Sequence, residues 1–160
     1  MCDYSLMAIP NRLAVSGEEL IVHGFEAGTV IGLTSACDLR KKQEYRRVKP
    51  HGLWPRLKDF FNPPDAPAIP AVCIPPGARL LIRDIPTKLR RECGFRQDME
   101  EAVFTQITPA ANTFRDAVRF QNGAEVLLQR LAEGQRVRVL NFSSAEDQAT
   151  EPMEPQRVMI

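Results

Sequence analysis

No apolar run in this sequence approaches the roughly 18 residues that cross a bilayer. Segments such as Leu20 to Val22 and Val126 to Leu128 are strand-sized. The stretch Met1 to Pro10 lacks the basic start and apolar core of a secretory signal. Charge of one sign is also scarce: 21 Lys and Arg against 20 Asp and Glu leave a net +1. No global field therefore draws the chain to nucleic acid or membrane, and any such attraction must be local. Only two histidines are present, His23 and His51, so neither a His-based triad nor a zinc site is signalled. Cys2, Cys37, Cys73 and Cys93 form no Cys-x-x-Cys pair. Neither a P-loop nor a Gly-x-Gly-x-x-Gly motif occurs. These absences set the expectation of a cytoplasmic chain whose four cysteines are free thiols.

What is present reads as one globular domain. At 160 residues, 44% hydrophobic and 26% charged, the chain holds enough apolar material for one core. Eight of its 13 prolines fall between Pro50 and Pro76. Proline lacks the N–H that a helix or sheet interior needs, so residues 38–71 are expected to form a long irregular Pro-rich loop, with one helical turn near Trp54 to Phe60. The sequence divides into a β-rich domain, 1–142, and an acidic C-terminal extension, 143–160, carrying Glu146, Asp147, Glu151 and Glu154.

Strand signals recur along the domain at Leu20 to Phe25, Thr29 to Leu33, Arg79 to Ile85 and Val103 to Ile107. Thr87 to Cys93 reads as a short helix capped by Thr87 and stopped by Gly94. Asn122-Gly123 is the pair that a two-residue type I′ turn prefers. That turn sets Val118 opposite Leu127 and Arg119 opposite Val126. Glu133-Gly134 then turns the chain into the alternating segment Gln135 to Phe142. The fold expected is mainly β: a small antiparallel barrel or sandwich with a C-terminal three-stranded meander.

Cys2 is the candidate for chemistry. Exposed after removal of Met1, it would pair a thiol with an α-amine of pKa about 7.7–8.0, the logic of an N-terminal nucleophile. Asp3 is the residue that could orient it. The same thiol suits a soft metal, with Met7 and Cys73 as further sulfur ligands. The bland alternative is an N-terminal residue without a role, and small buried apolar side chains at Cys73 and Cys93. His23 sits in an apolar strand and reads as structural. Glu18-Glu19 and Glu100-Glu101 read as solvated positions rather than a catalytic dyad.

The candidate for binding is the stretch from Arg40 to Phe61. Residues 40–58 hold eight Lys and Arg against one Glu. Arg40, Lys41, Arg46, Arg47 and Arg56 interleave with Tyr45 and Trp54, and Phe60 and Phe61 follow. Basic residues mixed with aromatics compose protein docking hot spots and also single-strand nucleic-acid surfaces. The alternative is a solvated loop that grips its own domain through Trp54. The leading reading is a non-enzymatic accessory module that docks on a larger protein subunit. The others are a thiol-centred enzyme or metal-handling protein built on Cys2, and a nucleic-acid binder. No cofactor is indicated.

Residues 1–6, Met-Cys-Asp-Tyr-Ser-Leu, resemble the start of a group of small uncharacterised bacterial proteins. The resemblance returns at Ala71-Val72-Cys73 with its Pro-Gly turn, and from Arg115-Asp116-Ala117 through Leu131. It implies no activity, and Met7 stands where that group has a histidine. A fainter likeness is to the hydrogenase-maturation chaperones, which also begin Met-Cys and carry an Ala-Ile-Pro, here Ala8-Ile9-Pro10 and several residues later. That likeness implies a metal-centre role for Cys2.

Overall fold

A computed structural model describes residues 9–25, 30–48, 68–107 and 114–142. Within them the chain is mainly β. In order come β1 (Asn11–Leu13), β2 (Glu19–Phe25), β3 (Val30–Ser35), α1 (Ala36–Val48), β4 (Ala71–Cys73), β5 (Arg79–Ile82), α2 (Thr87–Cys93), β6 (Glu100–Gln106), β7 (Asp116–Phe120), β8 (Glu125–Leu127) and β9 (Arg136–Asn141). Seven strands form one antiparallel sheet in the order β3-β2-β9-β5-β6-β7-β8, while β1 and β4 pair in parallel.

Alternation along the strands builds the core. Leu20 and Val22 of β2, Leu80 and Ile82 of β5, Val137 and Val139 of β9, Phe104 and Val118 point to one side and are buried together. The opposite side of the ladders carries charge, paired across strands as Arg79–Glu101 at 2.7 Å, Arg83–Glu19 at 3.0 Å and Arg119–Glu125 at 2.7 Å. Exposed pairs of this kind are each worth only about 0.2–1 kcal/mol, so apolar burial carries the stability.

The 3-10 turn that follows edge strand β8 reaches the other edge strand, β3. Gln129 follows β8, and its side chain spans to edge strand β3, accepting from the Ile31 N–H at 3.0 Å and donating to the Ile31 C=O at 2.8 Å. One glutamine amide thus imitates a backbone rung where the ladder is interrupted.

Three expectations are corrected. First, the irregular region does not begin at Asp38, because residues 36–48 are helical. The stretch contains no proline or glycine, and Arg, Lys, Gln, Glu and Leu favour helix. Ser35 caps it, its hydroxyl accepting from the Cys37 N–H at 3.2 Å, and Asp38 sits in the positive first turn. Second, the hairpin register is one residue away from expectation: Val118 faces Val126 and Arg119 faces Glu125. The connection is therefore three residues long. Gly123 takes φ 85°, whereas Asn122 does not adopt a positive φ. Asn122 works through its side chain, accepting from the Ala124 N–H at 3.0 Å and donating to the Cys93 C=O at 2.8 Å. The observed register puts Val118 and Val126 together in the core and Arg119 and Glu125 together outside. Third, β9 does not extend β7 and β8 into a meander. A 3-10 turn at Leu128–Arg130 and a further turn carry the chain away, and β9 inserts between β2 and β5.

Helix α2 has the expected bounds, with Gly94 closing it at φ 75°. Its cap is Pro86 rather than Thr87, whose hydroxyl accepts instead from Arg90 at 3.1 Å.

Gln129→Ala removes both partners of Ile31. Thermal or urea unfolding should show a loss of about 1–3 kcal/mol, the usual cost of stranded backbone groups. An unchanged midpoint would show that the two edges are held by packing alone.

Candidate docking surface

Helix α1 leaves the sheet directly from β3. Its apolar anchorage is Leu39, half-buried against Phe25, Ile69 and Ala71. Beyond Leu39 the side chains of Arg40, Lys41, Gln43 and Glu44 are exposed. Lys41 reaches Asp38 at 3.6 Å. Among the described residues Arg40 and Lys42 form no ion pair. Over its described side chains, residues 36–44, the helix carries no apolar stripe, and helices of this kind commonly stand in solvent or face a partner. Tyr45, Arg46 and Arg47 fall in its last turn. Trp54, Arg56, Phe60 and Phe61 lie outside the described residues. The structure therefore places the first part of the predicted binding stretch on a helix.

Between α1 and β2 lies a cleft of ≈ 420 Å³. Ile21, Leu39 and Ile69 give it apolar walls, and His23, Lys42, Gln43 and Glu133 supply polar groups. Its parts come from distant segments. The turn bearing Glu133 is tied to β2 by reciprocal backbone bonds, Val22 N–H to Gln135 C=O at 2.9 Å and Gly134 N–H to Val22 C=O at 2.8 Å. Glu133 Oε1 thereby stands 3.4 Å from His23 Nδ1 and accepts from the Gly24 N–H at 3.2 Å. The His23 ring packs edge-on to Phe25 with centroids 5.0 Å apart.

Burial pushes the His23 pKa below its ordinary value, and the positive charge of Lys42 pushes the same way, while Glu133 opposes both. The neutral ring is the form favoured in the fold. The arrangement orients an imidazole, but no Ser, Thr or Cys side chain lines the cleft among the described residues. Its apolar walls and few convergent polar groups are the parts of a binding cleft. His23, Lys42 and Glu133 share no motif spacing, and only the path of the strands joins them.

The cysteine expectation is overturned. Cys73 is disulfide-bonded, whereas Cys37 and Cys93 are free. Disulfide formation depends on the separation of the two Cα atoms in space, and the lack of a Cys-x-x-Cys pair does not report on that. Cys73 is consequently no thiolate ligand, and cysteine usage does not point to a reducing compartment. Cys2, Asp3 and Met7 lie outside the described residues. Cys93 is half-buried, and burial pushes its thiol pKa up, away from the reactive thiolate. No group of three or more His, Cys, Asp or Glu that could hold a metal occurs among the described residues. None of the described helices is long and apolar enough to cross a membrane.

Two outcomes follow. A thiol reagent added to the denatured, unreduced chain should count two sulfhydryls, and four after reduction. A count of four before reduction would exclude the bond. The second concerns pH. Because the folded pKa of His23 is depressed, its contribution to stability is full above the unfolded value near 6.5 and is lost as pH falls from there through the folded pKa. His23→Gln should flatten the dependence of the unfolding midpoint on pH in that window, and an NMR titration should place the His23 midpoint below 6.5. A midpoint above 6.5 would mean that Glu133 outweighs burial.

No protein-family model matches this chain, and no curated protein or solved structure matches it.

Proposed function

We propose that this chain is a non-enzymatic binding module that docks on a larger protein through residues 40–61, with α1 as the folded beginning of that surface. The observation that carries this reading is the contrast between α1 and the sheet. On the sheet and its turns, five arginines meet carboxylates of the same chain: Arg79 with Glu101, Arg83 with Glu19, Arg119 with Glu125, Arg130 with Glu92, and Arg136 with Asp84, with Arg138 of β9 an exposed exception among the described residues. On α1, Arg40 has no such partner among the described residues, and Lys42 faces a cleft.

A partner with an acidic, extended surface meets both requirements. Carboxylates satisfy the α1 cations, and an apolar side chain fills the cleft over Leu39 and Ile69. Burying an unpaired charge costs several kcal/mol, so electrostatic complementarity selects the partner and the apolar anchor supplies residence time. Nucleic acid is the second reading of the same charge, since a phosphate backbone offers anions equally well. The ion pairs of the sheet argue against it, because they tie up five of its arginines with carboxylates of the same chain. A thiol-centred enzyme built on Cys2 gains no support from the described residues.

Arg40→Glu, Arg46→Glu, Arg47→Glu and Trp54→Ala combined should abolish retention of a defined partner isolated with the wild-type chain. The unfolding midpoint should stay within a few degrees of wild type. A collapse of stability would instead make the stretch a clasp on its own domain. Binding of single-stranded oligothymidylate that is lost in the same variant, with a steep salt dependence, would transfer the site to nucleic acid.

A further inference from the structure

The chain carries its own acidic segment of the composition that the docking surface requires. Residues 143–160 contain Glu146, Asp147, Glu151 and Glu154, with Arg157 as their only basic residue. They also contain Met153, an apolar side chain able to fill a cleft. Where this segment leaves the fold decides what it can reach.

It leaves at the end of β9, and the register puts that end beside the start of α1. β9 and β3 both pair antiparallel with β2, so Arg138 meets Glu19 and Ser35 meets Leu20 at the same end of the sheet. A short relay joins the two. The Val139 N–H donates to the Glu18 C=O at 3.0 Å. The Glu18 carboxylate pairs with Arg12, which holds its pKa down. Arg12 in turn lies 4.0 Å from Asp38 in the first turn of α1. The Ser16 hydroxyl donates to the Leu140 C=O at 3.0 Å, which fixes the last residues of β9 against the same turn.

Chain reach then permits the contact. An extended chain advances at most about 3.3–3.6 Å per residue, so Glu146 can lie roughly 13 Å beyond Phe142. The 13 residues of α1 extend about 20 Å, well within reach of the stretch ending at Glu154. A ligand tethered over so short a span also acts at a high effective concentration, in the millimolar range.

We propose that the acidic segment 143–160 folds back in cis onto the basic face of α1 and its cleft, where it competes with the external partner. This rests on the docking reading of α1 and adds regulation to it: an acidic partner must displace the chain's own carboxylates, and weak partners are excluded.

The test is zero-length carbodiimide cross-linking of the full chain, which joins lysine amines to carboxylates in contact, read by peptide mass spectrometry. An equal mixture of unlabelled and ¹⁵N-labelled protein separates links within one chain from links between two. Lys41 to Asp38, at 3.6 Å, is the internal positive control. The proposal expects same-isotope links from Lys41 or Lys42 to Glu146, Asp147, Glu151 or Glu154, reduced at least tenfold in molar salt. The control link alone, or acidic-segment links to lysines elsewhere only, overturns it. Mixed-isotope links overturn the cis arrangement and give the site to a second copy. These outcomes are separate from partner retention in the Arg40, Arg46, Arg47 and Trp54 variant, so either claim can fail without the other.

Discussion

The insertion of β9 between β2 and β5 is the constraint on which the rest of the structure depends. It joins two separately connected parts, the β2–β3 hairpin and the run from β5 to β8, into one sheet. Val137 and Val139 consequently have core neighbours on both sides and are almost wholly buried. Because the strand closing the middle of the sheet comes after everything it joins, most of its contacts are non-local. Such topologies fold slowly, since loop-closure entropy is lost before the pairing is gained.

The same insertion builds the candidate site. The turn that leads into β9 brings Glu133 to His23, and the end of β9 runs past Glu18 and Arg12 to the start of α1. The cleft and the exit of the acidic segment are thus two ends of one strand. Charge has a parallel organisation. Ion pairs within the chain hold most of the charge on the sheet, whereas on α1 Lys41 meets Asp38 and Arg40 has no partner among the described residues. The change comes at the point where the chain leaves the ladder and a serine cap, rather than apolar burial, starts the helix.

What could be read from the sequence follows from the range of the interactions involved. Alternation marked β2, β5 and β9 because a half-buried strand records its core face locally. Gly94 marked the end of α2 because a left-handed residue is a local demand. Helix α1 was also legible, in Ser35 followed three residues later by Asp38 and a run free of proline, but the density of prolines from Pro50 onward obscured it. The hairpin register was not legible from Asn122-Gly123 alone. That pair serves either a two-residue turn or a three-residue turn ending in glycine, and Val126 entering the core decides between them. The position of β9 and the Cys73 bond were beyond reach, because both depend on which distant segments meet. The cleft combines β2, α1 and the turn before β9, so no spacing announces it.

The claim that α1 and its cleft form the anionic docking surface is tested most directly by titrating the ¹⁵N-labelled chain with poly-L-glutamate and following amide shifts by NMR. The account predicts saturable shifts at Arg40 to Gln43, His23 and Gly134, removed by salt, with Arg79, Arg119 and Arg136 on the sheet unmoved. Shifts spread over those sheet arginines, with α1 silent, would contradict it.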